Sequence, residues 1–201
     1  MKEKEWLHIG NATVYLRGWV NIDVRGSGSS LAAVCPRGVE KWGTTETAYY
    51  HRLPETTQQL VIAGEPPDHA LMVCDRYGTW EDIPCFDGNA SRILSRQVFE
   101  HLSMTEARLA MREAFRVLEP GGLLELDVPD IPTTLELYRE TGDLFLKRHI
   151  LGSRKNDFSY HCVGWTMDGL NAFVAGYGFD FVGWQPNIHF YPAFSGVWRG
   201  K

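Results

Sequence analysis

"LHIGNATVYLRGWVNIDV", residues 7–24, holds two short apolar runs separated by a glycine, a few polar residues and an Arg-Gly pair. Residues 5–9 and 18–24 have strand character, and only eight residues, 10–17, lie between them. A parallel crossover ordinarily takes about a dozen residues or more. On pattern alone the stretch fits a β-hairpin at least as well as the opening of a parallel, ligand-binding sheet. In the second reading Gly10 lies under a ligand and Asp23 on its sugar.

Residues 26–70 are punctuated by "GSGSS", "CPRG" and "GEPPD" and show no strand period, which predicts an insertion decorating the core. Within it, "LPETTQQLVIAG" (53–64) has Pro54 near a helix start and Gly64 just past its end, the asymmetry of a short helix. "ALMVCD" (70–75) is an apolar run ending in an acid, and "SRILSRQ" (91–97) is a weaker strand pattern. The best helix is "SMTEARLAMREAFRVLEPGG" (103–122). Ser103 and Glu106 have capping-box spacing, apolar residues recur at 107, 110, 111, 114, 115 and 118, and Pro120-Gly121-Gly122 ends it. "LLELDVPD" (123–130) reads as a strand, followed by a helix from near Pro132. A further helix is expected from Thr166 to about Gly176 or Gly178, then strands at 179–184 and 188–191 around "QPN", forming an antiparallel edge. Strand and helix alternate, the rhythm of an α/β domain with a parallel sheet.

At 201 residues the chain fits one domain, 1–201, carrying the 26–70 insertion. Its net charge is −5, and no run of Lys or Arg stands out, so a nucleic-acid surface is not expected. No signal-peptide core or membrane span is visible, which predicts a cytoplasmic protein without a membrane partner. The four cysteines form no CxxC pair; reduced core thiols and no metal site are expected.

The stretch "RQVFEHLSMTEARLAMREAFRVLEPGGLLELDVPD" (96–130) closely resembles the second half of a class I S-adenosylmethionine-dependent methyltransferase domain. It is similar to the "VLEHL…RVLKPGG…VPD" pattern of small predicted bacterial methyltransferases often found with polysaccharide and glycosyl-transfer genes. Residues 7–23 likewise resemble that branch's "LHIGCGPNYLPGWVNVD", shortened first connection included. The resemblance implies a Rossmann-like, doubly wound, mainly parallel sheet with an antiparallel C-terminal strand, and so parallel strands in the opening stretch. It implies S-adenosylmethionine as cofactor and a small-molecule or sugar acceptor.

It further implies roles for particular residues. Gly10 ends the first strand, lets the backbone come close to the cofactor, and brings the amides of Asn11 and Ala12 to its methionine part. Asp23, ending the second strand, accepts from the ribose hydroxyls. Asp75 or its neighbours lie near the adenine, and Gln97 and Val98 line the other side. Two positions depart from the branch: Ala12 stands where a second glycine is usual, and His8 where an acid is often found. Methyl transfer needs mainly in-line positioning. Where the acceptor must lose a proton, the candidate bases are His101, Asp130 and His161. Each has a structural alternative, as has Glu100; Asp130 also suits a cap on the helix at Pro132. Most aromatics of the C-terminal third are expected in the core, with Tyr160 and His161 available to an acceptor pocket. A non-catalytic binding module is the alternative function. A nicotinamide enzyme is disfavoured by the missing GxGxxG.

Overall fold

A computed structural model describes residues 4–12, 14–25, 33–34, 73–154, 158–187, 189 and 191–201. The expected helix at 53–64, nearly all of the 26–70 insertion and Cys35 lie outside them.

The opening stretch is not a hairpin. Strand β1 (Glu5–Ile9) and strand β2 (Val20–Asp23) are parallel, with Leu7 opposite Val20 and Ile9 opposite Ile22. The crossover, residues 10–19, contains no helix among its described residues, 10–12 and 14–19. It is held instead by Asn21, whose Oδ1 accepts from Leu16 N (2.8 Å) and whose Nδ2 donates to the carbonyls of Leu16 (3.0 Å) and Trp19 (3.2 Å). One buried amide thus answers backbone groups that a crossover helix would have answered internally.

Strand β3 (Ala33–Val34) pairs only with β4 (Val73–Cys74), in a separate two-stranded parallel ribbon. The place beside β2 belongs to β5 (Arg76–Tyr77), so the described end of the apolar run expected at 70–75, residues 73–75, supplies no strand to the main sheet. The chain bends between the two at Asp75, whose carboxylate accepts from Asn21 N (2.7 Å) and Tyr15 Oη (2.7 Å). Arg76 then reaches Glu5 through two N–H groups, at 2.7 and 2.9 Å.

Strand β6 (Ala90–Arg96) leads through a single 3-10 turn (Phe99–His101) to helix α1 (Met104–Val117). The capping box is formed: Ser103 Oγ accepts from Glu106 N, and the Glu106 carboxylate accepts from Ser103 N. Ala107, Ala110, Met111, Ala114 and Val117 are its buried stripe. Phe115, expected inside, is half-exposed, its ring edge-on to Phe179 at 5.8 Å. Strand β7 (Leu118–Pro129) runs through the Pro-Gly-Gly stop and is followed by helices α2 (Ile131–Thr141), α3 (Leu144–Leu151) and α4 (Met167–Ala175).

The last strands are β8 (Phe179–Gln185) and β9 (Ala193–Gly200). The second therefore begins after Pro192 rather than at 188, and His189 and Tyr191 fall in the connection. The seven-stranded sheet has the order β5-β2-β1-β6-β7-β9-β8, parallel up to β7 and antiparallel beyond it. Leu7, Ile9, Ile22, Ile93, Leu124 and Leu126 are buried, as a parallel sheet covered on both faces requires. Among the described residues no helix is long and apolar enough to cross a membrane.

Candidate active site

After β1 the chain turns one way to β2, and the strand on β1's other side, β6, comes later. The β1/β6 junction is a switch point, and in open α/β sheets ligands bind beyond the carboxyl ends of strands at such a point. A cavity of about 700 Å³ opens there, lined by the ends of β1, β2 and β6, by residues 78–81, and by side chains near α3 and residues 158–162. Its size falls within the roughly 300–1,000 Å³ of small-molecule sites.

Gly10 leaves β1 at φ +72°, and a Cβ there would come 2.5 Å from the Val98 side chain. Its bareness is thus required first by the approach of the two strand ends. Asn11 is buried beneath the turn and is not a cavity residue. Ala12 lines the cavity at φ +44°, the left-handed conformation that a glycine would adopt without strain. Its N–H donates to Asp23 Oδ2 at 2.6 Å, while Val24 N donates to Oδ1 at 2.7 Å. Burial raises the proton affinity of Asp23, and these two donors oppose the rise. Each carboxylate oxygen retains capacity for a further donor.

Asp75 is turned away from the cavity, toward Asn21 and Tyr15; the wall is formed instead by its neighbours Gly78, Thr79, Trp80 and Glu81. Gly78 N donates to the Asp23 carbonyl at 3.0 Å, so this wall is hung from the end of β2. Gln97 and Val98 line the opposite side. Gln97, at φ +57°, donates from Nε2 to Asp127 Oδ1 at 2.7 Å. The same carboxylate lies 2.6 Å from His189 Nε2, both side chains being buried.

Asp130 is likewise outside the cavity. It caps α2, accepting from Thr133 N (3.1 Å) and Thr133 Oγ1 (2.8 Å), which occupies it structurally. His101 and His161 do line the cavity, together with His149, which the sequence had not singled out. His149 stacks on Tyr191 with ring centroids 3.8 Å apart. Burial lowers the pKa of all three histidines, to about 4 for His149 and His161, so neutral imidazoles face this end of the cavity at neutral pH. Burial also pushes the Glu100 carboxyl well above the usual range. His8, in the place of the branch's acid, is buried against Asn21 and held to about 4 by burial, which makes it a structural partner of the crossover.

Sequence reading missed residues 78–81, His149 and the Asp127–His189 pair. The alternation in "LLELDVPD" carried one signal. Glu125 and Asp127 are acids inside an otherwise apolar strand, and such acids are buried only with partners. Those partners are Arg92 and Arg96 for Glu125, and Gln97 and His189 for Asp127.

A crevice at a switch point, with a glycine exit on one strand and an acid ending the next, lies where a Rossmann-like open sheet accommodates ligands. A family model described as a methyltransferase domain matches residues 58–126. A search of curated proteins returned no match. Among solved structures, a methyltransferase of Methanosarcina mazei aligns with TM-score 0.56 at 14% identity, covering 100% of this chain and 93% of that one. A Thermotoga maritima methyltransferase, described as a possible histamine N-methyltransferase, gives 0.53 at 15%, covering 100% and 84%. The magnesium protoporphyrin IX methyltransferase of Synechocystis, with S-adenosylhomocysteine bound, gives 0.51 at 10%, covering 98% and 74%. The chain shares the fold of these methyltransferases, and part of it, residues 58–126, matches a methyltransferase domain.

Proposed function

We propose that this chain transfers the methyl group of S-adenosylmethionine to a small-molecule or carbohydrate-type acceptor bound at the histidine end of the cavity. The observation that carries this reading is one cavity lined both by Asp23 and by His101, His149 and His161. Asp23 accepts from the ribose hydroxyls, and residues 78–81 flank the adenine. Gly10, Ala12, Gln97 and Val98 line the methionine part. The bound sulfonium supplies an already activated methyl group, so the chain's task is mainly to hold acceptor and donor in line, which is worth several kcal/mol. Where the acceptor must lose a proton, a neutral imidazole lining the cavity takes it. Ser153, Phe158, Ser159 and Tyr191 give the acceptor end a mixture of hydroxyl and aromatic surface suited to a sugar.

Calorimetric titration of the purified chain with S-adenosylmethionine and S-adenosylhomocysteine tests the reading. Saturable 1:1 binding is expected, weakened about tenfold or more in Asp23→Ala, since a charge-assisted hydrogen bond is worth about 1.5–3 kcal/mol. A folded wild-type chain that binds neither compound would instead be a non-catalytic relative acting as a binding module.

A further inference from the structure

Three side chains with metal-ligating atoms converge on the cavity wall after β6. Glu100 Oε1 stands 3.9 Å from His101 Nε2 and 3.8 Å from His161 Nε2, and one ligand atom from each of the three lies within 4.8 Å of the others. The Glu100 side chain is 2% exposed, yet neither oxygen has a hydrogen-bond partner among the described residues. A buried carboxyl with both oxygens unanswered is expensive and calls for an explanation. The gaps to the histidines are too long for hydrogen bonds. They are about 0.3–0.9 Å longer than the roughly 3–3.5 Å separating atoms bound to one ion at about 2.0–2.2 Å, a gap that side-chain rotation closes.

The surroundings are already arranged for this. His101 Nδ1 lies 2.8 Å from the Tyr160 carbonyl. A carbonyl only accepts, so Nδ1 carries the proton and Nε2 presents its lone pair toward Glu100. This is the outer-shell arrangement that orients metal-bound histidines. The Glu100 carbonyl accepts from Cys162 N (2.8 Å) and Val163 N (3.2 Å), which ties the segment bearing His161 to the turn bearing the other two residues.

We propose that Glu100, His101 and His161 form a two-histidine, one-carboxylate site for a divalent transition-metal ion whose open positions face the cavity. The mixed nitrogen and oxygen donors suit Zn²⁺, Mn²⁺ or Fe²⁺ better than Mg²⁺ or Ca²⁺, which favour oxygen alone. The cysteine spacing that argues against a thiolate site says nothing of this one, whose third member lies 60 residues beyond His101. Such an ion favours an acceptor that presents oxygen atoms; this last point rests on the methyltransferase reading, whereas the ion's binding rests on the three side chains alone.

The test is to strip the full chain with a chelator and titrate it with Zn²⁺ and, separately, Mn²⁺ by calorimetry, with the visible spectrum of the Co²⁺ form as a second readout. One equivalent is expected to bind, at least tenfold more weakly in His161→Ala and in Glu100→Gln, and the Co²⁺ bands should change in both. Thermal melts and an S-adenosylhomocysteine titration on each preparation report folding and the cofactor end separately. Should Glu100→Gln fail to fold, His161→Ala decides alone. Failure of a folded wild-type chain to bind Zn²⁺ or Mn²⁺, or unchanged binding in a folded His161→Ala, overturns the site. Absence of S-adenosylhomocysteine binding alongside intact metal binding overturns the methyltransferase reading and leaves the metal site standing.

Discussion

Ala12 shows how a departure at one residue is absorbed. The backbone keeps the left-handed turn that a glycine would make, and the alanine N–H still reaches Asp23. An L-residue in that conformation costs about 1–2 kcal/mol, so Ala12→Gly should stabilise the fold by about 1 kcal/mol. In a chain of this size that raises Tm by roughly 2–4 °C, readable by calorimetric melting. His8 makes a second residue-scale prediction. Its folded pKa lies near 4 against 6.5 unperturbed, so between those values the unfolded chain binds a proton that the folded chain refuses. The associated stability is complete above pH 6.5 and is lost as pH falls, about 2 kcal/mol of it by pH 5. Urea unfolding at pH 7 and pH 5 should show that loss. In His8→Gln the loss should shrink by a comparable amount, leaving the part due to His149 and His161.

At the scale of elements, the crossover between β1 and β2 stands on Asn21. Removing that amide leaves the buried amide of Leu16 and the carbonyls of Leu16 and Trp19 without their partner, at about 1–3 kcal/mol for each group left unsatisfied. Asn21→Ala should therefore destabilise by about 3 kcal/mol or more, a large shift in urea midpoint with an unchanged m-value. Elements fixed by local chemistry were legible in the sequence. Helix α1 has its cap, stripe and stop written into adjacent residues, and β8 begins where the apolar run begins. Strand β9 was not legible, because its glycines carry no strand signal. A Cβ at Gly196 would strike the rings of Trp198 and Trp184, so that glycine exists for a cross-strand packing visible only once β8 and β9 are paired. Gly196→Ala should cost about 1–3 kcal/mol through overpacking, again measurable by urea unfolding.

Across the whole molecule, parallel pairing in the opening stretch followed from a resemblance rather than from spacing. Ten residues are too few for an ordinary crossover, and the side chain that makes them sufficient lies in the next strand. The cavity was legible at its strand ends, where Gly10, Ala12, Asp23, Gln97 and Val98 each follow or end a strand. It was not legible where the wall comes from distant segments: residues 78–81, His149 and Tyr191 meet only after folding. Because those segments close over β1, β2 and β6 together, a ligand bound there holds much of the sheet in place and should be read in global melting. At a ligand concentration about 100 times Kd, binding to the folded state alone adds about 2.7 kcal/mol. S-adenosylhomocysteine should then raise Tm by roughly 5–10 °C. Asp23→Ala will melt lower without ligand, since Ala12 N and Val24 N lose their acceptor. The decisive quantity is therefore the ligand-induced increment within each variant. It should fall to about half or less in Asp23→Ala, where tenfold weaker binding leaves about 1.4 kcal/mol, and persist in Asp130→Ala, whose lost helix cap lowers the baseline without touching the cavity; an equal increment in all three proteins would remove Asp23 from the cofactor site.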